Sequence, residues 1–226
     1  MASCWGHPDR FLKDLGQSSF IHVTDQYTGL TSNHRYGSGQ AYKTTIATPL
    51  AQPFTDDDML AYVHAAAAAS GQTGYDHRYN VHLPPGVDEC FDSSLSVCYS
   101  PDNFGTWSFC AYHGSVDFPD IGPVIYSVEP FQNLPRCAVD PGSPNGSLVD
   151  STNSVLSHEV FESITDPDGN RWWNVDNNGV FGEEVDDECS FLGNVGFSPS
   201  LVVLNVRQYA VQPEYNNSNH PCTVRP

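Results

Sequence analysis

Apolar residues recur at helical spacing most clearly between residues 151 and 165. There Leu156, Val160, Phe161 and Ile164 lie on one side of a helix that Pro167 cannot continue. Asp150-Ser151-Thr152-Asn153 offers the N-cap residues for it. A second helix is predicted over 59–69, with Thr55 as cap, Asp56-Asp57-Asp58 at the positive end of the dipole and Gly71 beyond its end. A short helix is expected over 8–15. Strand patterns fall on 20–23, 41–47, 79–83, 107–113, 124–128, 201–204 and 208–211. The segment 139–147, rich in Pro, Gly, Asn and Ser, reads as a surface loop leading into the central helix. The expected architecture is α+β, one domain over 1–226, with a mostly antiparallel sheet packed on the helix at about 151–165 and on the helix at 59–69.

Composition narrows the class. In 226 residues, 39% hydrophobic and 12% aromatic content is enough to fill a core, while only 16% of residues are charged and 18 Gly and 17 Pro imply many short elements joined by ordered loops. Nine basic residues against 27 acidic ones give a net charge of −18, which repels a nucleic-acid backbone or an anionic membrane and attracts divalent cations. No run of 18 apolar residues is present, so no transmembrane span is predicted. The seven cysteines stand singly, at 4, 90, 98, 110, 137, 189 and 222, with no Cys-x-x-Cys pair. That spacing disfavours zinc ribbons and redox motifs and favours about three disulfides formed in an oxidising compartment, with one cysteine left over. Cys4 and Cys222, near the two ends, are one conceivable pair. With the sequons at Asn145 and Asn216, the expectation is a secreted, extracellular protein, and Met1-Ala2-Ser3 reads as a start that replaces a removed export signal.

The candidate chemistry lies on the central helix. His158 and Glu162 are four residues apart, one turn, so both side chains reach a common point, and Glu159 sits about 100° round from His158. This is the arrangement of the His-Glu-x-x-His zinc helix with Glu in place of the second His. Asp166-Pro167-Asp168-Gly169-Asn170 raises calcium as an alternative ion, although a turn ending the helix accounts for the same residues. The remaining histidines read as surface or hydrogen-bonded structural residues, and the tryptophans as buried aromatics.

Several ordered segments resemble the phosphate-induced protein 1 / EXORDIUM-like family of secreted plant proteins and their bacterial and fungal relatives. They are Thr24-Asp25-Gln26-Tyr27-Thr28-Gly29, Phe109-Cys110-Ala111-Tyr112-His113-Gly114, the block from His158 and Glu159 through Glu162 to Thr165-Asp166-Pro167 with Trp172 or Trp173 after it, and Glu184-Val185 followed by Asp187 and Cys189. The resemblance implies an exported globular protein connected with the cell wall, and leaves the activity open.

A metal on the helix needs a third ligand. In the gluzincin arrangement that ligand is a later Glu with an Asp shortly after it. Glu184, 22 residues beyond Glu162, and Asp187 fit that spacing. The expected ligands are therefore His158, Glu162 and Glu184, with Asp187 orienting His158 through its other ring nitrogen and Asp166 in support. Glu159 is expected as general base toward a water whose pKa the cation lowers to about 7, and His113 as oxyanion donor or replacement ligand. Zinc is the expected ion, with calcium or manganese favoured by the two carboxylates. The functional expectation is a zincin-like secreted metallopeptidase acting on peptide, or a non-catalytic extracellular protein that binds a cell-wall component and keeps a structural metal. A glycosidase using Glu159 and Glu162 is disfavoured, because both carboxylates sit on one helix turn rather than across a scissile bond. Nothing in the sequence fixes an oligomeric state.

Overall fold

The structure, a computed structural model, describes residues 5–27, 53–91, 94–100, 109–139, 143–172, 184–190 and 199–226. The predicted strand at 41–47 and the first two residues of the one at 107–113 lie outside them, as do Cys4, Trp107 and Trp173; of the rest of 107–113 only Tyr112 and His113 are strand, at the start of a strand that runs on to Phe118. In chain order the elements are helix α1 (Pro8–Gly16), a 3-10 helix (Phe20–Gln26), β1 (Phe54–Thr55), α2 (Asp56–Ser70), β2 (Gly74–His82), β3 (Glu89–Cys90), β4 (Cys98–Tyr99), β5 (Tyr112–Phe118), β6 (Gly122–Glu129), α3 (Ser147–Thr165), a single 3-10 turn (Asp187–Cys189), β7 (Ser200–Leu204), β8 (Arg207–Val211), β9 (Glu214–Tyr215) and β10 (Cys222–Thr223). The fold is α+β. The strands form four small sheets, in the orders β1-β3-β4, β2-β6-β5, β7-β8 and β9-β10. The sheet that carries the site is mixed, with β2 parallel and β5 antiparallel to β6, where a mostly antiparallel one was expected.

The β2-β6-β5 sheet lies between two helices. Strand alternation sends Val124, Tyr126 and Val128 of β6, together with Tyr112, Val116 and Phe118 of β5, onto Met59, Val63 and Ala67 of α2. The intervening residues Arg78, His113, Ser115, Ser127 and Glu129 are of the opposite parity and meet the side covered by α3, so that interface is polar. Helix α2 begins with the predicted cap: Thr55 and Asp58 form a reciprocal capping box, and Gly71 closes the helix at φ 67°.

Helix α3 is buried from Asp150 to Thr165 apart from His158. Leu156, Val160, Phe161 and Ile164 pack on Phe11, Leu15, Phe20, Tyr209 and Val211, while Val155 meets a smaller cluster around Cys110 and Cys137. Its polar residues tolerate burial because their hydroxyls donate to the helix's own carbonyls, Ser151 to Ser147, Thr152 to Leu148, Ser163 to Glu159 and Thr165 to Phe161. For the same reason the predicted start was late. Ser151 and Thr152 do not cap, Asp150 accepts from Asn145 instead, and the helix begins at Ser147 after Gly146.

The predicted strand at 20–23 is instead a 3-10 helix, in which Phe20 and Val23, three apart, both enter the core and the Thr24 hydroxyl donates to the Ile21 carbonyl. Three disulfides join Cys90 to Cys98, Cys110 to Cys137 and Cys189 to Cys222. The conceivable Cys4–Cys222 pair is thus replaced by Cys189–Cys222. Strand β10 pairs with β9, and the Tyr215 N–H of β9 donates to the Val185 carbonyl, which brings Cys222 beside Cys189. Among the described residues no helix is long and apolar enough to cross a membrane.

Away from α3, Glu89 is fully buried and accepts from the Tyr112 hydroxyl at 2.6 Å, while the same hydroxyl lies 3.1 Å from Asp56. Burial, with the Asp56 charge adding to it, pushes the Glu89 carboxyl up to about 8 from 4.5. The folded protein therefore holds a proton that the unfolded chain releases, and the associated stability is full below pH 4.5 and lost as the pH rises to about 8. Glu89→Gln keeps an acceptor for Tyr112 without that proton. Its unfolding free energy relative to wild type should rise between pH 5 and pH 8 by about 1.4 kcal/mol for each unit of displaced pKa. Urea unfolding curves that shift in parallel for the two proteins would contradict this.

Candidate metal centre

Two elements build the centre. One turn of α3 presents His158, Glu159 and Glu162, and β5 brings His113 up from the sheet because its odd-numbered positions face that helix. The 184–189 segment, tied down by Cys189–Cys222, adds Glu184 and Asp187.

His158 Nε2 stands 3.0 Å from Glu162 Oε1 and 3.6 Å from Asp187 Oδ1. His113 Nδ1 stands 3.3 Å from Glu159 Oε2 and 3.4 Å from Glu162 Oε2, and its Nε2 lies 3.8 Å from Glu184 Oε1. Two sets of ligand atoms, each mutually within 4.8 Å, result: His113 with Glu162 and Glu184, and His158 with Glu159 and Glu162. These residues could hold a metal ion.

Both imidazoles are held from outside. His113 Nε2 donates to the Asp166 carbonyl at 3.0 Å, which leaves its Nδ1 as the lone pair. Gln212 donates through Nε2 to the Asp186 carbonyl, so its Oε1 is the atom turned to His158 Nδ1, at 3.3 Å, and His158 Nε2 is the lone pair. Metal-binding histidines are generally set in this way, with the outer N–H anchored on a protein acceptor and the inner nitrogen bare.

Every residue predicted for the site lies in this region, with some roles redistributed. His113 groups with Glu162 and Glu184, the position foreseen for it as a replacement ligand. Asp187 approaches the same nitrogen of His158 that Glu162 faces, and Gln212 takes the orienting position that had been expected for Asp187. Asp166 supports His113 through its backbone carbonyl, while its carboxylate accepts the Asn170 and Arg171 N–H groups. Asp168 accepts from Tyr75 and Ser115. The Asp166–Asn170 segment is therefore a hydrogen-bonded turn, and its residues form none of the metal-capable groups found among the described residues.

Sequence reasoning missed Gln212 and three buried carboxyls behind the centre, Glu129, Asp186 and Glu214. Gln212 follows a strand and carries no motif. Glu129 could have been found, since it continues the parity of Ser127 on a strand whose alternate residues are apolar.

The ionisable groups of the centre act strongly on one another. Burial disfavours the charge on His113, but Glu184, Glu159 and Glu162 outweigh it and hold the ring well above its ordinary value; burial opposes the charge on His158 too, and Glu162, Glu159 and Asp187 overcome it. Burial also opposes Glu162, yet the two rings bring it down to about 2. Burial and then the Glu162 charge push Glu184 up to about 9 and Asp187 to about 7. Burial and the mutual proximity of Asp186 and Glu214 raise Asp186, and burial raises Glu214 to about 8. Oε2 of Glu159, Oε1 of Glu162 and Oε1 of Glu184 are buried and take no hydrogen bond among the described residues. Of these, Glu159 Oε2 and Glu162 Oε1 face bare ring nitrogens and require a proton or a cation between them, while Glu184 Oε1 lies on the anchored Nε2 side of His113. Exposure increases toward Asp187, whose side chain is 35% accessible against 5% for His113, so the centre opens on that side.

No family model matches the sequence, and neither the curated proteins nor the solved structures contain a significant match.

Proposed function

We propose that the protein is a secreted metal-dependent hydrolase of the metallopeptidase kind, with peptide as substrate class and zinc as the ion. The observation that carries this reading is the pair of anchored imidazoles turning bare nitrogens toward one buried carboxylate, with Glu159 and Glu184 beside it. In this reading His113, Glu162 and Glu184 hold the cation. A divalent cation at that place supplies Lewis acidity, lowering the pKa of a water to about 7 and polarising a carbonyl. Glu159, adjacent to the ligands and with Oε2 taking no hydrogen bond among the described residues, would take the proton of that water and return it to the departing amine. His158, anchored by Gln212, turns its bare Nε2 to the other oxygen of Glu162, and Asp187 marks the side from which substrate enters.

The three disulfides support an exported protein, as does the acidic balance. The ordered segments that resemble the EXORDIUM-like family point the same way, and the resemblance extends to a role at the cell wall. Three of those segments, Phe109–Gly114, the His158 block and Glu184–Cys189, supply site residues. The fourth holds the fold: Tyr27 donates its hydroxyl to the Tyr215 carbonyl, and Gln26 accepts from the Ser218 N–H.

One observation favours a second reading, a non-catalytic binding protein with a structural cation: the side chains of Glu159, Glu162 and His113 are each at most 5% exposed. A quenched-fluorescent peptide library, run with the zinc-loaded protein and with protein stripped by chelator, separates the two. The hydrolase reading predicts cleavage that disappears on stripping and returns with zinc. A chelator that lowers the melting temperature while neither form cleaves any peptide would establish the structural role instead.

A further inference from the structure

We propose that the centre takes two divalent cations bridged by the Glu162 carboxylate, one beside His113 and the other beside His158. The inference rests on the metal-site reading above and departs from its single-cation form. The two bare ring nitrogens face different oxygens of the same carboxylate, His158 Nε2 facing Oε1 at 3.0 Å and His113 Nδ1 facing Oε2 at 3.4 Å. Each approach sets one acceptor against another, so each needs its own positive charge. Two ligand atoms bonded to one cation at about 2.1 Å stand about 3.0 Å apart at a right angle and about 3.4 Å apart at a tetrahedral angle, so both separations are edges of a coordination polyhedron. The two rings belong to different metal-capable groups among the described residues, so a cation beside one ring is not shared with the other while both keep their anchors on Asp166 and Gln212.

The rest of the donor set divides the same way. His113, Glu162 and Glu184 form one group and His158, Glu159 and Glu162 the other, with Glu162 the sole member in common. The buried Oε2 of Glu159, 3.3 Å from His113 Nδ1, and Oε1 of Glu184 take no hydrogen bond among the described residues and are open to a cation, so Glu159 stands beside both groups. Charge favours the same count. Glu159, Glu162, Glu184 and Asp187 carry four negative charges when ionised; one dication leaves two of them uncompensated in a buried site, and two dications balance all four. Carboxylate-bridged cation pairs about 3.5–4 Å apart serve hydrolytic chemistry by holding both the attacking and the leaving atom. The competing account is that two protons fill the gaps and both rings are imidazolium.

Metal stoichiometry decides among these. The purified protein is stripped, loaded with zinc alone, passed through a desalting column and analysed for zinc per protein; a parallel sample loaded with manganese is examined by electron paramagnetic resonance. Two equivalents of zinc and an exchange-coupled manganese spectrum are expected. His113→Ala and His158→Ala should each retain one equivalent and show no coupling, with far-UV circular dichroism reporting that they are folded. One equivalent in the wild type would leave the hydrolase reading intact and overturn the bridge. No bound zinc would overturn both and identify the rings as an imidazolium pair. Two equivalents without coupling, unaffected by either histidine substitution, would place the second ion elsewhere and also overturn the bridge. The wild-type count stands even if a variant fails to fold.

Discussion

Glu162→Gln is expected to remove metal binding and hydrolysis together. Glu162 is the one carboxylate shared by both metal-capable groups, and each of its oxygens faces a ring nitrogen. An amide keeps one acceptor and turns an NH2 donor toward the other ring, so it offers a poor bridge and no charge. The two imidazoles hold Glu162 down to about 2, and the substitution takes that counter-charge away from both. Breaking a buried ion pair by removing one partner costs about 3–5 kcal/mol, so the cation-free variant should also be less stable than cation-free wild type by an amount of this order. Metal content by elemental analysis and urea unfolding of the stripped proteins measure the two effects. A variant that binds zinc as tightly as wild type would remove Glu162 from the centre of the account.

The second large effect separates chemistry from binding. Glu159→Gln should retain at least the cation on His113, Glu162 and Glu184, because none of those atoms is altered, and should lose about 10²–10⁴-fold in kcat as the proton acceptor is lost. Glu159 sits a third of a turn from His158 and is buried among the ligands, so glutamine fills nearly the same volume and the helix has no reason to shift. Cleavage at wild-type rates by the variant would sink the assigned role of Glu159. Loss of all metal would instead make Glu159 an indispensable ligand.

Much of this centre was legible because helices and strands repeat. The one-turn spacing of His158 and Glu162 required only that 151–165 be helical, and the apolar positions Leu156, Val160, Phe161 and Ile164 made that plain. Glu184 and Asp187 were found because their spacing after the helix matches the gluzincin arrangement. The exact grouping was not legible, because it depends on which ring nitrogen each neighbour anchors. His158 is turned by Gln212, and Gln212 by the Asp186 carbonyl; neither contact has a sequence pattern. His113 became a partner of Glu162 only once β5 paired with β6 and placed odd-numbered residues toward α3.

The fold shows the same division. The Thr55 cap is local chemistry and is readable, while its reciprocal bond with Asp58 appears only in the structure. The start of α3 was misjudged because the same hydroxyl residues that cap helices also bond back to their own carbonyls inside one. The 3-10 helix at Phe20–Gln26 replaces a predicted strand because the four residues 20–23, carrying three apolar side chains, fit either period. Which cysteine meets Cys222 depended on β9 and β10 passing beside Val185, a tertiary fact that closeness to the chain ends does not encode.

The central claim is that the His113, His158 and Glu162 side chains are arranged around cations. Diffraction from crystals of zinc-loaded protein, collected on both sides of the zinc absorption edge, tests it most directly. The account predicts anomalous peaks beside the two oxygens of Glu162, each within bonding distance of one ring nitrogen and absent below the edge. Zinc peaks only at surface histidines such as His22 or His220, with no anomalous density between the rings and Glu162, would contradict it.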